Sequence, residues 1–186
     1  FIPTPLCREQ LVKENITDGL FITGNTEIDA VGYTVKKDFK FPKELAEKLD
    51  FSKRIIFVTA HRRENLGEPL ENICRALARI AETFDDVQIV YLVHLNPAVR
   101  KTVNAILSGK ERVLLTDPLP PVEAHNLLAK SYLILTDSGG IQEDAPALNK
   151  PVLVLRRETE RPEGIEAGTA KLAGIDEDTV FRMASE

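Results

Sequence analysis

The chain has 186 residues, of which 43% are hydrophobic and 28% charged, and its formal net charge is −5. This length is enough for one domain with a sizeable core, and the acidic balance argues against nucleic-acid binding, which usually needs a clustered basic face. No apolar run reaches the roughly 18 residues of a membrane span, and Cys7 and Cys74 lack metal-ligand spacing, so we expect a cytoplasmic protein with reduced thiols and no membrane partner.

The first 53 residues precede the regular part of the chain. Within residues 1–35, LCREQLVKEN is helix-like and LFITGNTEI is strand-like. Residues 36–53 are strongly charged, and we predict that they form a linker. Because the chain starts at Phe1 in an apolar stretch and stops at Glu186 in a helical pattern, we interpret it as part of a longer protein.

From Arg54 onward, apolar runs alternate with amphipathic segments. Five runs predict strands buried on both faces: Arg54–Thr59, Val87–Val93, Arg112–Thr116, Tyr132–Thr136 and Pro151–Leu155. Helices are predicted between them: about Leu66 to Phe84, a helix opened by Pro97, Val122 to Lys130, and Gly140 to Leu148, which Pro146 must distort or shorten. Strands separated by helices form a parallel sheet, so the sequence predicts a doubly wound, Rossmann-like α/β domain over residues 54–186.

Ligands of open parallel sheets bind beyond the carboxyl ends of the strands. The predicted strands end in five polar segments: Thr59–Asn65, His94–Pro97, Asp117–Pro121, Asp137–Gly140 and Arg156–Arg161. Two of the three histidines and several arginines therefore fall on one edge of the predicted sheet. We expect the functional site at this edge.

The turn Asp137-Ser138-Gly139-Gly140 predicts an anion site. The two glycines let backbone amides approach a ligand, and amides at the start of a helix attract anions. The Ser138 hydroxyl adds a donor, and Arg161, if it folds back, can pair with a phosphate through two parallel bonds. We predict a diphosphate as the ligand. The alternative is a tight turn in which Asp137 or Ser138 only caps the helix.

His61 is the candidate acid, base or hydrogen-bond donor beside that phosphate. Repulsion by Arg62 and Arg63 is expected to lower its pKa, and Glu64 to oppose this. An equal alternative is that His61 only caps the following helix.

The remaining sequence signals are weaker or negative. His94 can hold its Asn-Pro turn or contact a ligand, and His125 is expected at the surface of a helix. The chain contains no G-x-G-x-x-G or Walker-type loop, no G-x-S-x-G elbow and no cluster with metal-ligand spacing. These absences argue against a dinucleotide, Walker-type, serine-hydrolase or metal site.

Five motifs together resemble the non-hydrolysing UDP-N-acetylglucosamine 2-epimerases: VTAHRREN, VHLNP, LTDSGGIQEDAP, KPVLVLR and TERPEG. The resemblance implies two Rossmann-like domains in a GT-B-like arrangement, with residues 1–35 as the end of the first domain and the interdomain segment. It implies interconversion of UDP-N-acetylglucosamine and UDP-N-acetylmannosamine by elimination of UDP and its re-addition. No cofactor or metal is implied, and a homodimer is expected for the full-length protein.

The resemblance also implies roles for single residues. His61 matches the catalytic histidine, Ser138 to Gly140 the phosphate-binding turn, and Arg161 an arginine at the UDP. Asp144 falls where the family usually has a glutamate that holds the ribose hydroxyls, and it is one methylene shorter.

Arg62 and His94 match positions that contact a second, activating UDP-N-acetylglucosamine in bacterial members of the family. The family's catalytic carboxylates belong to the first domain, so we expect this chain alone to bind UDP weakly and to be inactive. Two alternatives stay open: a GT-B glycosyltransferase with the same UDP site, and a non-catalytic UDP-sugar sensor.

Overall fold

A six-stranded parallel sheet lies at the centre of the protein, as seen in a computed structural model that describes residues 1–186. Its strands are β1 (Arg54–Thr59), β2 (Val87–Leu92), β3 (Val113–Thr116), β4 (Leu133–Thr136), β5 (Val152–Val154) and β6 (Ala170–Leu172). They lie in the order β3-β2-β1-β4-β5-β6, and every neighbouring pair is parallel. The predicted doubly wound fold is confirmed, and the order reverses direction between β1 and β4.

Nine helices surround the sheet and connect its strands. They are α1 (Pro5–Lys13), α2 (Thr26–Thr34), α3 (Lys43–Ala46), α4 (Glu68–Thr83), α5 (Pro97–Leu107), α6 (Pro121–Lys130), α7 (Gly139–Ala147), α8 (Pro162–Glu166) and α9 (Glu177–Ser185). A short 3₁₀ turn, Arg63–Asn65, precedes α4. No helix has both the length and the apolar character needed to cross a membrane.

Strand β1 shows why the predicted strands read as continuous apolar runs. Successive side chains of a strand point to opposite faces of the sheet. Ile56 and Val58 belong to one buried cluster with side chains of α4 and α5, while Ile55 and Phe57 belong to a second cluster with side chains of α6. Because both faces are covered, the residues between Arg54 and Thr59 are apolar on both faces.

The amino-terminal prediction was partly wrong. LCREQLVKEN does lie largely in α1, but LFITGNTEI is not a strand. Ile22 makes only an isolated bridge with Ile2, and Asn25 instead caps α2, since its side chain accepts a hydrogen bond of 3.0 Å from the Glu27 amide. The polar Asn-Thr pair is therefore a helix start.

Two further features were not predicted. Residues 36–53 contain α3, and Leu45 and Leu49, each 8% exposed, pack into the second core cluster. The sequence prediction also stopped at five strands, because the short edge strand β6 has only one buried residue, Ala170.

Candidate functional site

The reversal point between β1 and β4 is held together by a buried carboxylate. Asp137 directly follows β4 and is fully buried. Its Oδ2 atom accepts hydrogen bonds from the backbone amides of His61 (2.8 Å) and Arg62 (2.7 Å) and from Nδ2 of Asn65 (2.9 Å). The loop after β1 is thus anchored to the end of β4.

Sequence reasoning gave Asp137 only the role of a possible helix cap, and this was wrong. The N-cap position of α7 is Ser138, and its side chain makes no capping bond. The Ser138 amide donates to Oγ1 of Thr136 at 3.0 Å. The signal that could have revealed this anchor is an acidic residue directly after a buried strand, next to the backbone amides of the loop after β1.

His61 is half-buried beside this carboxylate. Its Nδ1 atom lies 3.2 Å from Oγ1 of Thr59 and 3.6 Å from Oδ1 of Asp137, an oxygen that has no other hydrogen-bond partner. Its ring stacks on that of His94, with centroids 4.9 Å apart and planes 7° from parallel. The predicted histidine therefore lies between an acid and a second imidazole.

The pKa of His61 is lowered, as predicted, but for a different main reason. Burial is the largest cause, and the charges of His94 and Arg62 lower the pKa further, while Asp137 raises it. Glu64, which was expected to oppose the shift, instead forms an ion pair with Arg156 at 2.8 Å. The imidazole is therefore held neutral mainly by loss of water.

His94 takes the structural role that was considered for it. Its Nδ1 atom accepts a hydrogen bond of 3.0 Å from the Asn96 amide, so the ring holds the turn before α5. The same ring covers one face of His61. Because Nδ1 is an acceptor, the neutral ring carries its proton on Nε2.

The predicted anion turn, Ser138–Gly140, begins α7 at the reversal point, and a carboxylate covers it. A Cβ atom added to Gly139 would lie 2.8 Å from Oε1 of Glu160 and 3.6 Å from Nη2 of Arg62. A Cβ atom at Gly140 would have no neighbour closer than 3.9 Å. A side chain at position 139 would therefore enter the space that the end of the Glu160 side chain occupies, and Glu160 would have to shift.

Glu160 connects two arginines above this turn. Its Oε1 lies 2.7 Å from Nη2 of Arg62, and its other oxygen pairs with Arg156. A carboxylate at the start of a helix satisfies the local attraction for negative charge. The turn therefore holds an anionic group of its own chain, flanked by two guanidinium groups.

Arg161 does fold back toward α7, but it makes no hydrogen bond to the glycines. Its guanidinium pairs with Glu143, and the same carboxylate accepts a bond from Asn25. Arg161 therefore joins the segment before α2 to the second turn of α7. Glu143 was missed by sequence reasoning, which considered only its neighbour Asp144.

Asp144, the residue after Glu143 in α7, is only 2% exposed. Burial, with Glu27 and Glu143 as additional causes, raises the pKa of its carboxyl to about 6. His125 was expected at the surface, and this was wrong: it is 8% exposed and faces Asp144, with Nε2 and Oδ2 3.9 Å apart. Asp144, the candidate ribose contact, thus lies near two other carboxylates, those of Glu27 and Glu143.

The largest cavity lies elsewhere. It has a volume of about 390 Å³ and is lined mainly by apolar residues, among them Val87, Leu133 and Met183. Val87 and Leu133 are the first residues of their strands, so this cavity opens at the amino-terminal edge of the sheet. It is not part of the candidate site, where the polar groups converge at the opposite edge.

Residues 1–186 match the protein family described as UDP-N-acetylglucosamine 2-epimerase. A curated relative, the UDP-N-acetylglucosamine 2-epimerase of Bacillus subtilis, is 51% identical over a match that covers 100% of this chain and 48% of that protein. The Escherichia coli K12 protein of the same name is 50% identical, with 97% and 50% covered. The chain thus spans about half the length of the curated relatives that it matches.

Solved structures agree with this match. The structure described as S. aureus MnaA with UDP has a TM-score of 0.91 to this chain at 46% identity, covering 100% of this chain and 50% of that one. A UDP-GlcNAc 2-epimerase from Neisseria meningitidis bound to UDP-GlcNAc has a TM-score of 0.90 at 38% identity, with 100% and 52% covered. The fold described above is therefore the fold of one half of these proteins.

Proposed function

Because this chain belongs to the UDP-N-acetylglucosamine 2-epimerase family, we propose that it forms the nucleotide-binding half of an enzyme that interconverts UDP-N-acetylglucosamine and UDP-N-acetylmannosamine. The observation that carries the proposal is the placement of the Ser138–Gly140 turn beside His61 at the reversal point of the sheet. Relatives described with UDP or UDP-GlcNAc bound support a nucleotide sugar as the ligand.

The diphosphate is proposed to bind at the anion turn. The free amides of α7 and the Ser138 hydroxyl supply donors, and Arg62 lies within reach of the same place. Glu160 now occupies this position, so it moves aside when the ligand arrives, and its two arginine partners become available to the phosphates. The diphosphate thus takes the place of the Glu160 carboxylate, and Arg62 and Arg156 keep an anionic partner.

His61 is proposed to act on the departing nucleotide. In the elimination, the C2 proton goes to a base, a double bond forms between C1 and C2, and the C1–O bond breaks with its electron pair on UDP. A neutral imidazole near the diphosphate can assist by donating a hydrogen bond to the leaving oxygen. Asp137 positions the loop that carries the ring, since its Oδ2 atom accepts hydrogen bonds from the backbone amides of His61 and Arg62.

The other assignments rest on the family. We propose that Asp144 contacts the ribose, that Arg161 contributes at the UDP, and that Arg62 and His94 belong to a second, activating nucleotide-sugar site. Residues 1–35 are proposed to complete a first domain that carries the catalytic carboxylates, residues 36–53 to connect the domains, and residues 54–186 to bind UDP. Exposed apolar side chains at Phe1, Phe21 and Tyr33 support a neighbouring domain on that side. Cytoplasmic location, a role in surface polysaccharide synthesis and a homodimer are proposed with them.

Calorimetric titration of the 186-residue chain with UDP tests the binding half of the proposal. UDP is expected to bind, and uridine, which lacks the diphosphate, to bind at least about tenfold more weakly. Gly139→Leu is expected to abolish UDP binding, because its side chain fills the space above the turn. Equal binding of UDP by wild type and Gly139→Leu would contradict the site. Gly32→Leu, at a position where an added Cβ atom meets nothing within 4 Å and φ is not positive, tests whether any loss is general.

A chimera tests the reaction. The first half of the Bacillus subtilis relative, fused before this chain, is expected to interconvert the two UDP sugars without an acceptor. The same chimera with His61→Ala is expected to bind UDP but not to turn over. A chimera that transfers the sugar to an acceptor indicates a glycosyltransferase, and a folded chimera that binds UDP without any reaction indicates a sensor.

A further inference from the structure

The hydroxyl of Thr59 lies against one ring nitrogen of His61. Thr59 is the last residue of β1 and is 9% exposed, and its Oγ1 atom lies 3.2 Å from Nδ1 of His61. A hydroxyl and a ring nitrogen can share this hydrogen bond in two ways, since either group can be the donor. The choice decides which nitrogen of the neutral ring carries the proton.

Donation by the hydroxyl satisfies both groups. When Thr59 donates, Nδ1 accepts and the single proton of the neutral ring lies on Nε2. In the reverse arrangement Nδ1 carries the proton, and the hydroxyl proton of Thr59 has no acceptor, because its side chain makes no other hydrogen bond in the chain. A polar group that is mostly buried and has no partner is costly. The contact therefore favours donation from Thr59 to His61.

Asp137 is the competing partner of Nδ1. Its Oδ1 atom lies 3.6 Å from Nδ1, which is beyond the range of a hydrogen bond. The charge of this carboxylate is met at Oδ2 by three donors, the backbone amides of His61 and Arg62 and Nδ2 of Asn65. Oδ1 itself has no hydrogen-bond partner, so it is the group that draws the proton to Nδ1 once the Thr59 hydroxyl is removed.

The other ring nitrogen, Nε2, lies on the edge of the ring away from Thr59 and Asp137. The His61 side chain is 36% exposed, and the stacked ring of His94 covers one of its faces. Because burial lowers the pKa of His61, the ring is neutral at physiological pH. A neutral imidazole has one N–H donor, and this donor is at Nε2 only in the tautomer that Thr59 favours.

We propose that Thr59 is a positioning residue that keeps the proton of neutral His61 on Nε2, from which the ring donates its hydrogen bond to the departing diphosphate. Asp137 holds the backbone of the loop, whereas Thr59 selects the tautomer of the ring. This inference rests on the proposed function and adds to it the residue that prepares His61 for its role.

Nitrogen-15 NMR of the 186-residue chain, labelled at histidine and held at about pH 8, reads the tautomer directly. The His61 signals are identified by their loss in His61→Ala. Wild type and Thr59→Ser are expected to carry the proton on Nε2. Thr59→Val keeps the shape but lacks the hydroxyl, and it should lower the ratio of the Nε2–H to the Nδ1–H form about tenfold, the value of one ordinary hydrogen bond. Thr116→Val makes the same change in the last residue of β3 and is the matched control.

The chimera with the first half of the Bacillus subtilis relative measures the consequence for turnover. Thr59→Val should lower kcat about tenfold and leave KM nearly unchanged, because the hydrogen bond acts on the leaving oxygen, and Thr59→Ser should restore kcat. A loss caused only by damage to the fold would not leave KM unchanged and return with serine.

Three results overturn the inference. The first is a wild-type His61 with its proton on Nδ1, which decides the matter even if Thr59→Val fails to fold. The second is an unchanged tautomer ratio in folded Thr59→Val, and the third is wild-type kcat in the Thr59→Val chimera. A wild-type chimera that does not epimerise removes the proposed function instead, and the NMR result then reports on the Thr59–His61 contact alone.

Discussion

Replacing Asp144 by asparagine is expected to stabilise the chain at neutral pH. The carboxyl of Asp144 is buried next to Glu27 and Glu143, and its pKa is raised from 3.8 to about 6. Below pH 3.8 it is protonated in both the folded and the unfolded chain. Between pH 3.8 and 6 the carboxyl of Asp144 is protonated in the folded chain and ionised in the unfolded chain. As the pH rises through this window, ionisation increasingly favours the unfolded chain, and the folded chain loses stability.

The size of this effect follows from the two pKa values. The difference corresponds to about 3 kcal/mol of unfolding free energy, an order-of-magnitude figure for a carboxylate that is almost fully buried. The substituted asparagine carries no charge and has nearly the same size as the present acid, so it fills the same buried space. Asp144→Asn should therefore gain up to about 3 kcal/mol over wild type above pH 7 and lose that advantage near pH 4.

Urea denaturation in EDTA at pH 4.5 and pH 7.5 measures this difference. Asp38→Asn, at an exposed position, is the control and should change stability equally at both pH values. Glu27→Gln should reduce the pH dependence without removing it, because Glu27 is one of the lesser causes of the raised pKa. An Asp144→Asn chain that is less stable than wild type at pH 7.5, or equally shifted at both pH values, would refute the reasoning.

Three other predictions address the anchor and the histidine pair. Asp137→Ala should lower the free energy of unfolding, measured by urea denaturation, by about 3–5 kcal/mol, because it leaves three donors without an acceptor. Asp137→Asn keeps one oxygen for these donors and should lose less than half as much. Equal losses in the two variants would contradict the anchor. His94→Phe should raise the pKa of His61 in an NMR titration, since the charge of His94 lowers it, and an unchanged pKa would show that the stacked ring has no electrostatic effect. The 186-residue chain alone should convert no UDP-N-acetylglucosamine in a coupled product assay, because the groups proposed to move the C2 proton lie outside it, and measurable conversion would overturn that division of roles.

The strands were predictable because burial on both faces leaves a continuous apolar signal, as in β1. The family resemblance, carried by five short motifs, is likewise confirmed. The wrong predictions share a physical cause, since they concern residues whose burial depends on contacts with distant parts of the chain. His125 looked like a surface residue because its helix is short and mixed in polarity, yet α2 and α7 cover it.

The site was predicted less completely than the fold. The polar residues at the carboxyl edge of the sheet were predictable from the strand ends. The pairing of Glu160 with Arg62 and Arg156 was not, because it depends on how the loop after β5 folds back toward α7. The approach of Glu27, His125 and Asp144 could not be found from the sequence either, since the three residues come from three different helices.

The anchoring of the β1 loop by Asp137 has a consequence for the order in which the protein becomes competent. His61 and Asp137 are 76 positions apart, and three complete crossovers separate them along the chain. The imidazole therefore reaches its working position only once β4 has paired with β1, a contact that forms late because long loops must close first. A newly made chain in which β4 has not yet paired with β1 contains His61 but lacks the bonds to Asp137 that position the loop carrying it.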